Sequence, residues 1–152
     1  MSATAQPAEI AAAQVESRAL LAGLWIFAAY NIALALFLAI APHAFYRSLG
    51  PFGAYNRHYE GDTATFVAAF ALGFLVAVRR PGWRVPILAL STVQFALHSV
   101  NHLVDIAHAH PAWTGYFDFF VLLASTLLLA WLLNIAVAEA RGASPRPQGA
   151  NR

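Results

Sequence analysis

The sequence predicts an all-α integral membrane protein, a bundle of four membrane-spanning helices, and three observations carry that expectation. First, 60% of its 152 residues are hydrophobic and only 11% are charged. A soluble domain carries about 25% charged residues, so too few charges are present to cover a globule, and lipid should solvate most of the surface. Second, the apolar residues fall into four runs, near 19–41, 62–78, 85–106 and 116–138, with Pro, Gly and Arg between them. Third, 13% of the residues are aromatic, and Trp83 and Trp113 sit at run ends, where interfacial anchors belong.

Residues 1–17 are Ala-rich and polar, a tail or a short surface helix from Pro7 to Arg18. No basic region precedes an apolar run there, so a signal peptide is not expected. The first run follows Arg18, is interrupted by Asn31 and stops at Pro42. At 1.5 Å per residue each such run suffices for a hydrocarbon core of roughly 30 Å. The segment 43–61 is expected to be a loop, punctuated by Gly50-Pro51 and Gly53. The second run ends at Arg79-Arg80-Pro81-Gly82, and the third and fourth are joined by a turn containing Pro111. These short connections predict that the second and third helices, and the third and fourth, are antiparallel neighbours. The tail from Arg141 is rich in Pro, Gly and Ser and is expected to be disordered.

The net charge is +2 and the isoelectric point about 9.4. All nine positive residues are Arg in loops and tails, which points to topology rather than to nucleic acid. Arg18, Arg79, Arg80, Arg84, Arg141, Arg146 and Arg152 fall on one side, against Arg47 and Arg57 on the other. The excess places both termini and the middle loop in the cytoplasm. The absence of Cys excludes disulfides, thiolate metal sites and a cysteine nucleophile. There is no phosphate-binding Gly loop, no Gly-x-Ser-x-Gly and no His-Glu-x-x-His.

The third span carries a polar stripe. Ser91, Gln94, His98, Asn101, His102 and Asp105 recur at steps of three and four, so they share one helix face. Unpaired polar groups are costly in hydrocarbon, and the stripe should face the bundle interior. His58 and Asp62, four apart at the start of the second span, are expected at the same depth, with Glu60 beside them and Asp118 joining from the fourth span. Imidazole and carboxylate on facing helices suit a divalent metal. The expected ligands are His58, Asp62, His98 and His102, for Zn, Fe, Mn or Cu. Asp105, Glu60, Asp118, Asn101 and Gln94 are then expected as supporting or proton-carrying groups. Haem, held by His58 with His98 or His102, is the second option. The competing view is structural: paired His and Asp can tie helices together with no ligand, at about 1 kcal/mol per contact. His43, His108 and His110 lie in loops and are expected to be solvated, and Tyr30 and Asn31 either line the same cavity or make a single interhelical bond.

The run Phe45-Tyr46, Gly50-Pro51-Phe52, Tyr55-Asn56-x-His58 and Asp62, followed by Gln94-Phe95, His98 and Asn101-His102, resembles small uncharacterised four-span bacterial membrane proteins, loosely DoxX-like. It covers about residues 40–106. The resemblance implies a multi-pass protein of the bacterial plasma membrane and the same site residues, with no established activity attached.

Three functions are compatible with these residues. One is a metal- or cofactor-binding protein, as an oxidoreductase or hydrolase in its enzymatic versions. Another is an accessory or assembly subunit of a larger membrane complex, or a homo-oligomer, using the flat Ala, Leu and Phe faces. The third is a carrier of protons or small solutes along the polar stripe, for which the inner halves of the second and fourth spans are poor in polar groups.

Overall fold

The computed structural model describes residues 7–143, with side-chain surroundings from 17 to 142; of the tails expected at 1–17 and from Arg141, residues 1–6 and 144–152 lie outside the described residues, and Arg141 to Ala143 continue the last helix. Every described element is helical: α1 (Pro7–Ile40), α2 (Pro42–Ser48), α3 (Arg57–Arg79), a 3-10 turn (Pro81–Trp83), α4 (Arg84–Val104) and α5 (Ala112–Ala143). Four segments are long and apolar enough to cross a membrane: Ser17–Ile40, Arg57–Arg79, Pro81–Val104 and Ala112–Gly142. The protein is a multi-pass membrane protein built as a four-helix bundle.

Helix α1 runs from Pro7 without a break into the first span, so the expected surface helix is its N-terminal extension. Pro42 ends it and at once starts α2, because a proline ring presets a helical φ and needs no N–H at a first turn. The expected loop 43–61 therefore contains a helix. Its seven residues are too few to show a period, and Phe45 anchors it edge-on against Phe37 of α1, ring centres 5.7 Å apart. Helix α3 begins at Arg57, ahead of its apolar run. Asn56 caps it: the Asn56 Oδ1 accepts from the His58 and Tyr59 N–H groups at 3.0 and 3.3 Å. At the other end Arg80, held extended before Pro81, stops it.

The apolar core lies toward the end of the bundle that holds the Arg79–Arg84 turn. Leu24, Phe27, Phe74, Leu88, Leu129 and Leu132 meet there. Phe27 stacks on Phe74 at 5.5 Å and meets Phe95 edge-on at 6.0 Å. Gly73 lets α3 close on α4, since a Cβ there would lie 2.5 Å from the Ile87 Cδ1. Arg84 and Glu139 tie α4 to α5 at that end with an ion pair of 2.9 Å.

The neighbours differ in how far they pack. α1 lies along α3, and α4 along α5, over long stretches, while α3 and α4 touch over a much shorter length. The antiparallel pair of α3 and α4 is thus joined near its turn and open toward the end carrying α2. The gap left there is lined mainly by polar and aromatic side chains rather than filled by aliphatic ones.

Candidate functional site

The gap between α3 and α4 is a chamber of about 460 Å³, roofed by α2 and the loop after it. Helix α4 supplies His98, Asn101 and His102, with Asp105 at its C-cap; α3 supplies Tyr59, Glu60 and Thr63. Phe45, Tyr46 and Phe52 close the top.

The two histidines touch. Their Nε2 atoms are 3.1 Å apart, so one ring donates its N–H to the other, and the ring centres are 4.7 Å apart. The i, i+4 spacing puts them one turn apart on one face. Phe52 covers His102 edge-on at 4.9 Å. The Nδ1 of His102 is buried and has no hydrogen-bond partner. Glu60 is only 6% exposed although it stands in the first turns of α3. Asp105 turns partly away, its Oδ1 lying 3.3 Å from the Nδ1 of His108 in the following turn. His108, expected to be merely solvated, is exposed but holds that contact.

The expected four-ligand set does not assemble. His58 and Asp62 pair with each other at 3.5 Å and are largely exposed. They line a separate cleft, with Leu38, Pro42 and Arg57, on the other side of α3. The reason is helical phase. His58 and Asp62 stand two residues either side of Glu60, so at 3.6 residues per turn both lie roughly 160° around the helix from it. Glu60 shares a buried stripe with Ala64, Ala71, Phe74 and Ala77. Burying that stripe turns Glu60 inward and His58 and Asp62 outward. Among the described residues no three His, Asp or Glu side chains are grouped closely enough to hold a metal ion together.

Two further residues fall elsewhere. Asp118 lines neither the chamber nor its neighbour; it is half-buried on α5, with one carboxylate oxygen buried and unbonded. Gln94 lies below the chamber, in an apolar groove that Tyr30 and Asn31 also line. Asn31 makes no interhelical bond there, because its amide donates to the Phe27 carbonyl of its own helix at 2.7 Å.

By sequence Tyr46 and Phe52 belong to a loop and Tyr59 to a helix start, yet all three line the chamber. Tyr46 donates to the Gly53 carbonyl at 2.6 Å and lies 5.4 Å from the Tyr55 ring, which folds the loop back over α2. The available signal was the loop's aromatic content, since a segment carrying Phe45, Tyr46, Phe52 and Tyr55 has surface to bury.

Charge is distributed unevenly. The chamber wall holds Glu60 and Asp105 but no Arg, and the chain has no Lys. The α4 C-terminus adds its partial negative charge, while the first N–H groups of α3 are taken up by Asn56. The wall therefore offers hydrogen-bond donors and acceptors without a fixed cation, and disfavours an anionic guest. No family model matches this chain, and no characterised protein or solved structure matches it either.

Proposed function

We propose that this membrane protein binds a small ligand in the α2-end chamber, on the face turned away from the cytoplasm, through His98, His102, Asn101 and Glu60. The observation that carries this reading is the convergence of those polar side chains on one cavity at the end of an otherwise apolar bundle. Polar groups within a span are costly and are by default functional. The histidine pair suits the role: its internal hydrogen bond can be exchanged for two bonds to a ligand oxygen or nitrogen. The imidazoles with the Glu60 carboxylate can also take up and release a proton beside the ligand.

A second reading keeps a divalent metal such as Zn, Fe, Mn or Cu at His98 and His102. The 3.1 Å between the Nε2 atoms is close to the separation, roughly 3.3 Å, of two imidazole nitrogens on one tetrahedral ion with bonds of about 2.05 Å. Glu60 would have to swing toward the pair as third ligand, and His58 and Asp62 take no part.

The deciding experiment is extraction of the detergent-purified protein beside His98→Ala/His102→Ala, with mass spectrometry for organic ligands and elemental analysis for metals. We expect a near-stoichiometric organic molecule in the wild type and its loss in the variant. A near-stoichiometric metal lost in the variant would replace the first reading by the second. Equal contents in both proteins would overturn both.

A further inference from the structure

We infer that the ligand is a single-tailed amphiphile whose head carries no negative charge, with the head in the chamber and the tail in a groove that opens sideways to the lipid. This rests on the chamber being a ligand site. The groove, of about 490 Å³, adjoins the chamber, and Phe45, Tyr59, Thr63, His98 and Asn101 line both, so a ligand at His98 borders the two at once.

Polarity changes from the chamber to the groove. Below His98 the wall becomes mainly apolar, with Leu34, Val67, Phe70, Phe95 and Leu122 beside Tyr30, Asn31 and Gln94, in the middle of the spans. Its lining on α3 runs from Tyr59 to Phe70, about 16 Å of helix at 1.5 Å per residue. That takes the upper part of an extended acyl or isoprenoid tail, whose end reaches the lipid through the side opening, and is far longer than a polar solute requires. Phe66 and Leu97 stand on its rim and are 69% and 68% exposed, so the opening faces the bilayer rather than the helices. A membrane-dissolved molecule can enter without crossing water.

Charge selects the head. Neither cavity contains an Arg, whereas Glu60 and Asp105 line the chamber. A phosphate or carboxylate head would be desolvated beside carboxylates with no Arg or Lys to meet it. A hydroxyl, carbonyl, amide or amine meets His98, Asn101 and Glu60 as bonding partners. One tail is what the adjoining groove holds.

The test uses the full-length protein in nanodiscs, with three probes sharing one tail: monooleoylglycerol, oleylamine and oleate. Bound probe is counted by native mass spectrometry, and the ¹⁵N signals of His98 and His102 are followed. Propylamine, which has no long tail, addresses the chamber alone. We expect about one monooleoylglycerol or oleylamine per chain and at least about tenfold weaker retention of oleate, a difference of about 1.4 kcal/mol. Val67→Phe, which fills the groove, should weaken both oleyl probes about tenfold while propylamine shifts the histidine signals as in the wild type. That propylamine response also shows that the variant is folded. Oleate bound as well as the other two, or oleyl probes indifferent to Val67→Phe while propylamine still moves the histidines, would overturn the inference and leave the chamber a ligand site. If neither amine moves the histidines, and His98→Ala/His102→Ala leaves retention unchanged, the ligand site itself is refuted.

Discussion

Replacing Asn56 by Ala tests whether the chamber depends on the start of α3. The Asn56 side chain satisfies two N–H groups that the helix cannot satisfy itself, those of His58 and Tyr59, at 3.0 and 3.3 Å. Loss of such a cap costs about 1 kcal/mol, within a range of about 0.5–2. Asn56 is exposed, so water can replace part of the bond and the lower half of that range applies. Glu60 stands only one turn beyond, and its own N–H is bonded to the Asn56 carbonyl at 3.1 Å, so fraying of this turn displaces the chamber's buried carboxylate. About 0.7 kcal/mol corresponds to roughly threefold more opening. Hydrogen exchange at the first-turn amides His58, Tyr59 and Glu60 should accelerate by about that factor in Asn56→Ala, while amides near Phe74 stay unchanged. Asn56→Asp, which keeps the capping oxygen, should behave as the wild type. Equal exchange in the wild type and both variants, with ligand retention also unchanged, would show that the cap does not hold the site.

Phe74 is fully buried against Phe27, and Phe74→Ala should destabilise the bundle by about 3 kcal/mol, at the low end for such truncations because the separated helices are solvated by lipid; a loss under about 1 kcal/mol in reversible unfolding in mixed micelles would contradict the packing. Gly115 has no room for a side chain, since a Cβ there would meet the Ile106 carbonyl, a backbone atom that cannot rotate away. Gly115→Ala should therefore cost about 1–3 kcal/mol, and a variant as stable as the wild type would refute that contact. His58→Ala and Asp62→Ala, which break an exposed pair outside the chamber, should leave ligand content unchanged and stability within about 0.5 kcal/mol. Loss of ligand in either variant would restore them to the site.

Much of the fold was legible because hydrocarbon is a demanding solvent. A span must be long, apolar and helical, so the four runs and their Pro and Arg boundaries show directly in the chain. The stripe on α4 was legible for the same reason: its period defines one face, and Gln94, His98, Asn101, His102 and Asp105 on it line the cavities, while Ser91 is buried in the packing. Helix α2 was not legible, because seven residues carry no period and Pro and Gly around them read as loop.

The sequence by itself determined the number of spans, the position of each ionisable residue along its helix and the shared face of His98, Asn101, His102 and Asp105. Only the tertiary structure decided which side of α3 meets that face. Hydropathy assigns a residue its depth along a helix axis, but rotation about the axis is set by packing. On α3 the Ala64, Ala71, Phe74 and Ala77 stripe seats against its neighbours and carries Glu60 into the chamber. The same rotation carries His58 and Asp62, at equal depth, out of it.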